Sequence, residues 1–139
     1  RLRPLLARPY VVVHPGAQLP SRRWPPERFA QVADALASDG YAIVLTGTVN
    51  EAALTRSVAA AMQFPAVDAA GETTIGGVAA LIDGARLLIA NDTGVGHVAA
   101  ARRTPSVIVG AKTAPWVETN GRYTVVSSGR PSVIVGAKT

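Results

Sequence analysis

The chain contains no cysteine, so disulfides and thiolate metal sites are excluded, which fits a reducing compartment. Aromatic residues make up only 5% of its 139 residues, and no basic stripe is interleaved with them, so nucleic acid is not expected as a partner. No apolar run approaches the ~20 residues of a membrane span. The first apolar patch is broken by Arg3, Pro4, Arg8 and Pro9, unlike a signal peptide. Lysine occurs only at Lys112 and Lys138, which leaves no Walker lysine, and no G-x-G-x-x-G run occurs. His14 and His97 are far apart and no Asp-x-Asp is present, so neither a metal site nor a cofactor is expected.

What is present suits one globular domain: 48% of residues are hydrophobic, in short runs. The chain begins on Arg1 instead of Met, so a preceding segment is expected. The formal net charge is +5, and five arginines (Arg1, Arg3, Arg8, Arg22, Arg23) precede the first acid, Glu27. Nucleic acid, an anionic membrane face and a phosphorylated small molecule could each explain that bias, as could a merely solvated basic face.

Apolar runs alternate with amphipathic stretches. "YVVV" (10–13), "YAIVLTG" (41–47), "AVDAAG" (66–71), "RLLIA" (86–90) and "PSVIVG" (105–110) read as strands, "AVDAAG" weakly. Between them, "ERFAQVADALASDG" carries Phe29, Val32, Ala33 and Leu36 at helical spacing and stops at Gly40. "NEAALTRSVAAAM" reads as a helix capped by Asn50, "TTIGGVAALIDGA" as one capped by Thr73 or Thr74 and ending near Gly84, and "GHVAAARR" opens a fourth. Strands that are apolar throughout and alternate with helices predict an α/β fold, a Rossmann-like doubly wound parallel sheet covered on both faces. Ligands of such sheets bind outside the carboxyl ends of the strands, where "HPG", "TGTVNE" and "NDTGVGH" fall. A single domain over 1–139 is expected, with a core of about 9–126. "PSVIVGAKT" occurs at 105–113 and again at 131–139. Two copies do not make a solenoid, so 127–139 reads as a duplicated tail, an exposed β-prone end that could still add a strand.

Three constellations could carry chemistry. In "NDTGVGH" a strand hands over to a helix N-terminus with unpaired N–H groups, where Gly94 permits close approach and the Thr93 hydroxyl can donate to a phosphate oxygen. Asp92 or Thr93 could equally be a plain helix cap. Asp92 would repel phosphate, which suits it to capping or to orienting His97, whose own place in the first turn favours a neutral imidazole. In "HPGAQLPSRRWP", Gly16 lets backbone approach a ligand, and Arg22 and Arg23 can form bidentate bonds to phosphate or simply face solvent. Trp24 is a packing anchor before Pro25 and Pro26 at the helix start. In "TGTVNEAA", Glu51 is placed either to accept from ribose hydroxyls or to favour the helix dipole.

These motifs together, "HPGA…RRWPPERFAQVADAL", "VLTGTVNEAAL" and "GETTIGGVAALIDGARLLIANDTGVGHVAAARRTPSVIV", resemble the C-terminal half of the ADP-heptose:lipopolysaccharide heptosyltransferases, glycosyltransferase family 9. The resemblance covers roughly residues 10 to 110, and more faintly "APWVETNGRYTVV". It implies the donor-binding half of a GT-B glycosyltransferase that transfers hexosyl or heptosyl groups with inversion and without a metal. Gly16, Arg22, Thr93 and Gly94 would then meet the donor diphosphate, and Glu51, Thr73 and Thr74 the ribose and base. Asp92 and His97 would organise the loop, and Arg22 stands where the family often has lysine. The acceptor-binding N-terminal domain, which supplies the catalytic base, is missing from this sequence, so the chain alone is expected to be inactive. The implied partners are a nucleotide-diphospho-sugar donor and, through that missing domain, a glycolipid acceptor of lipopolysaccharide or cell-surface glycan synthesis. A cytoplasmic location, at the inner face of the inner membrane, is implied with them. The alternative is a non-catalytic nucleotide- or phosphate-binding module, because fold alone does not fix chemistry.

Overall fold

A computed structural model of the chain describes residues 8–16, 24–72, 75–91, 104, 106–109, 113–119, 123–127 and 130–132. Five strands form one parallel sheet: β1 (Tyr10–His14), β2 (Ala42–Leu45), β3 (Val67–Asp68), β4 (Leu87–Asn91) and β5 (Ser106–Val109). Their spatial order is β3-β2-β1-β4-β5, with Val12 opposite Val44 on one side and opposite Leu88 on the other. The order reverses direction between β1 and β4, so a crevice is expected at the carboxyl ends of that pair. Three helices connect the strands: α1 (Pro26–Ser38), α2 (Ala52–Ala61) and α3 (Ile75–Gly84). The strands, the three helices and the parallel sense all match the sequence expectation. The expected fourth helix falls in 92–103, outside the described residues.

Alternation along the strands explains why both faces are apolar. Val11, Val13, Ile43, Leu45, Leu87 and Ile89 pack with α1 and α2, whereas Tyr10, Val12, Ala42, Val44, Leu88 and Ala90 pack with Leu81 and Ile82 of α3. A sheet covered on both sides has no solvated face, which is why its strands read as continuous apolar runs. Phe29, Val32, Ala33 and Leu36 are the buried stripe of α1, as their spacing predicted. The helix ends in a Schellman pattern: Gly40 N–H donates to Ala37 C=O (3.0 Å) and Tyr41 N–H to Leu36 C=O (3.3 Å). Gly40 has φ of +100°, a conformation that suits glycine.

The start of α2 differs from the expectation. Asn50 is not the cap; it lies inside a 3-10 turn (Val49–Glu51) whose N-cap is Thr48. Thr48 N–H donates to Glu51 Oε1 (2.9 Å) and Glu51 N–H to Thr48 C=O (2.9 Å), so the acid at the third position reaches back over the turn in a capping-box arrangement.

Beyond the parallel sheet, β6 (Thr113–Thr119), β7 (Tyr123–Ser127) and β8 (Arg130–Ser132) form a separate antiparallel sheet in the order β6-β7-β8. This hairpin sheet was not foreseen from the sequence. Pro131 and Ser132, which open the second "PSVIVGAKT", belong to β8 and pair with Val126 and Val125.

Candidate functional site at the carboxyl ends of the central strands

At the switch point a buried side chain joins the two central strands. Asn91, the last residue of β4, is fully buried. Its Oδ1 accepts from Trp24 N–H (2.9 Å) and its Nδ2 donates to Pro15 C=O. One amide therefore satisfies two backbone groups on either side of the 16–24 connection, and a buried N–H or C=O left alone would cost free energy. Trp24 itself is the packing anchor expected: it is 1% exposed and meets Phe29 edge-to-face with centroids 5.2 Å apart.

Next to this junction, the ends of β1 and β2 clasp a carboxylate. A Cβ built on Gly16 would lie 1.8 Å from Glu51 Oε2 and 2.3 Å from Glu51 Cδ. A Cβ on Gly47 would lie 3.2 Å from both Oε1 and Cβ of Glu51. Two glycines thus form a slot, and the Glu51 carboxylate lies against them with one oxygen fixed by Thr48 N–H. Of the sequence-predicted residues, Gly16 and Glu51 are brought together. The close approach that Gly16 permits is made by the chain's own carboxylate. Arg22, Thr73, Thr74, Asp92, Thr93, Gly94 and His97 lie outside the described residues.

The rim continues across the neighbouring strand ends. Gly71, φ +75°, donates its N–H to Gly47 C=O (2.9 Å). A Cβ there would come within 3.1 Å of Val49 Cα, so only glycine permits this contact between the loops after β2 and β3. Val49 is 73% exposed beside Glu51. Asp68, at the end of β3, accepts from the Thr55 hydroxyl (2.9 Å) and from Ala70 N–H (3.1 Å), which fixes the segment leading to Gly71.

Three polar residues here were not singled out from the sequence: Asn91, His14 and Thr46. His14 ends β1, and its Nδ1 is hydrogen-bonded to Thr46 Oγ1 at 2.9 Å. Burial holds the imidazole's proton affinity below its ordinary value, while the negative charge of Glu51 pulls the other way. A histidine closing a buried strand just before "PG" was the available signal. Among the described residues, no three His, Asp or Glu side chains are grouped to hold a metal ion, and no helix is long and apolar enough to cross a membrane. A shallow groove of ≈ 180 Å³, lined by Arg8, Tyr41, Phe64, Pro65 and Val67, lies at the opposite, amino-terminal ends of β2 and β3.

The described part is a doubly wound parallel α/β sheet with an acid clasped at the carboxyl ends of β1 and β2. The chain belongs to glycosyltransferase family 9 (heptosyltransferase), whose sequence profile matches residues 2–131. Lipopolysaccharide heptosyltransferase 2 of Escherichia coli (strain K12) is 33% identical over 113 residues, 78% of this chain and 32% of that protein. The structure of E. coli ADP-heptose lps heptosyltransferase II superposes with a TM-score of 0.71 at 32% identity, covering 78% of this chain and 34% of that one. The E. coli heptosyltransferase WaaC with ADP gives a TM-score of 0.62 at 26% identity, over 71% of this chain and 32% of that one. The chain spans about a third of the length of the curated relatives it matches.

Proposed function

We propose that this chain is the donor-binding part of a family 9 glycosyltransferase and holds an ADP-heptose-like nucleotide-diphospho-sugar. The observation that carries the reading is the Glu51 carboxylate, clasped by Gly16 and Gly47 at the carboxyl ends of β1 and β2. Such an acid accepts from the ribose hydroxyls of a nucleotide bound across the switch point. In this reading Thr73 and Thr74 line the base. Arg22, Thr93 and Gly94 take the diphosphate through a guanidinium fork, a hydroxyl and backbone N–H groups. Asp92 and His97 organise that loop.

The chemistry assigned to these groups is stabilisation of the departing diphosphate. Fixed N–H donors and an arginine lower the barrier most where negative charge develops. No metal is required for that role. The base that deprotonates the acceptor belongs to the part of the relatives' length this chain does not span, in a two-domain GT-B arrangement with inverting transfer. On its own the chain binds donor and does not transfer it. The acceptor is a glycolipid of lipopolysaccharide or cell-surface glycan synthesis, reached on the cytoplasmic side of the inner membrane.

The test is thermal unfolding with ADP, UDP and GDP. A ligand of the native state stabilises it by about 2.7 kcal/mol at a hundred times its Kd, so at least one diphosphate must raise Tm. If none does, the donor-site reading is wrong. Arg22→Ala and Thr93→Val should each weaken that binding by about 1–3 kcal/mol, as lost hydrogen bonds to a charged group do.

A further inference from the structure

The slot that holds Glu51 has two walls, and one side-chain hydrogen bond ties them together. His14 stands two residues before Gly16, and Thr46 one residue before Gly47. The Nδ1–Oγ1 bond between them crosses from the end of β1 to the end of β2. It adds to the backbone bond from Thr46 N–H to Val13 C=O (3.0 Å). Thr46 is fully buried, so its hydroxyl needs a partner, and the imidazole is one. Two residues further on, Thr48 N–H holds Glu51 Oε1. A continuous path of bonds therefore runs from the imidazole through Thr46 and the turn to the carboxylate.

The surroundings of His14 lower its proton affinity. Burial disfavours the imidazolium, and Glu51 is the charge among the described residues that acts against this. The neighbour on β4, Ala90, lies opposite His14 in the register and brings no charge. A neutral ring offers one donor and one acceptor nitrogen, so it can serve the Thr46 hydroxyl in either sense.

We propose that His14 is a positioning residue for Glu51: through Thr46 it sets the spacing of the Gly16 and Gly47 walls, and so holds the carboxylate in the direction that accepts from a ribose cis-diol. The inference rests on the donor-site reading and deepens it. A diol makes a stricter demand than a lone hydroxyl, because it needs acceptor lone pairs at a fixed spacing. With Oε1 committed to Thr48 N–H, rotation of the carboxylate is blocked and Oε2 keeps one orientation. Without the cross-strand tie the Gly16 and Gly47 walls part and the turn carrying Thr48 shifts, which releases Oε1 from Thr48 N–H and lets the carboxylate rotate. Diol selectivity is then lost, while binding of the phosphates, which depends on other groups, is kept.

Calorimetric titration of the whole chain with ADP and with 2′,3′-dideoxy-ADP at neutral pH tests this. The wild type should prefer ADP by at least about tenfold, the worth of a hydrogen bond to a charged acceptor. Glu51→Ala should abolish the preference. His14→Leu and Thr46→Val should bring it down toward that level, with dideoxy-ADP affinity held within about threefold, less than one such bond is worth. His14→Asn, whose amide puts a polar atom where Nδ1 stood, should restore the preference; His14→Gln, which cannot, should not. The Asn and Gln pair keeps the test open if the Leu variant fails to fold. Retention of the preference in His14→Leu and His14→Gln overturns the inference. Equal loss of both ligands in these variants also overturns it, since that is what a purely structural histidine would give. If the wild type binds neither nucleotide, the donor-site reading falls and takes the inference with it. If it binds ADP and the variants keep their selectivity, only the inference falls.

Discussion

Replacing Gly16 with alanine places a methyl carbon 1.8 Å from Glu51 Oε2 and 2.3 Å from its Cδ. No carboxylate tolerates that distance, so Glu51 must leave the slot. It is the end of a flexible side chain, half-buried at the rim, and leaving gives up its bond from Thr48 N–H. Loss of that cap costs about 1 kcal/mol, the usual worth of such a contact where water can replace it. An opposing term comes from the unfolded chain, which an alanine in place of glycine restricts by about 0.4–1 kcal/mol where the native backbone accepts it. The described glycines with positive φ are Gly40 and Gly71, so alanine at 16 meets no backbone strain. Gly16→Ala should therefore be near neutral in the wild type. In a Glu51→Ala background, where nothing remains to displace, the same change should stabilise by about 0.4–1 kcal/mol. The coupling of about 1 kcal/mol exceeds the ~0.3–0.5 kcal/mol scatter of independent sites. Urea unfolding of the four proteins of this cycle measures it. An identical effect of Gly16→Ala in both backgrounds would refute the clasp and, with it, the ribose-side argument.

Other perturbations reach the same region. Asn91→Ala strands Trp24 N–H and Pro15 C=O inside the protein, and urea titration should show a loss of about 2–4 kcal/mol. Trp24→Ala removes a fully buried ring from against Phe29 and should cost about 3–5 kcal/mol by the same measurement. The lowered proton affinity of His14 sets a pH dependence. The unfolded chain binds this proton more readily than the folded one, so stability is full above the ordinary histidine range and is lost as pH falls through the lowered folded-state value. His14→Asn should flatten that part of the stability–pH curve, and an unchanged curve would show that another group is responsible.

Much of the fold was legible because its signals are local. Val11 to Val13, Ile43 to Leu45 and Leu87 to Ala90 are buried on both faces, and such strands read as apolar runs whatever their neighbours. Gly40 closes α1 and Trp24 anchors its start for reasons contained within a few residues. Glu51 was legible as an acid at a strand end. The slot it occupies was not, because Gly16 lies 35 positions before it in the numbering and only the pairing of β1 with β2 joins them. Asn91 escaped notice for the same reason: its partner Pro15 is separated from it by 76 positions. The His14–Thr46 tie spans 32 positions and needs the parallel register before it exists. Asn50 and Thr48 offer the same capping chemistry two residues apart, and the reach of Glu51 back to Thr48 N–H decides for Thr48.

The repeated "PSVIVGAKT" separates what local sequence specifies from what position specifies. Its first copy supplies Ser106–Val109, which pair parallel with Leu88–Asn91 at the edge of the main sheet. Its second copy opens with Pro131 and Ser132, which pair antiparallel with β7. In both copies Ser, at 106 and at 132, is in a strand. The same serine nevertheless takes partners of opposite sense: Leu88 in a parallel pair, Val125 in an antiparallel one. The strand of the first copy follows β4 after residues 92–105, a length that allows the crossover parallel pairing requires; that of the second follows β7 after residues 128–129, a length that only antiparallel pairing can use. Connection length, not composition, thus selects the sheet. The first copy therefore belongs to the layer that builds the switch-point site, adjoining the strand that ends in Asn91. The second joins the antiparallel hairpin sheet, through β8 against β7.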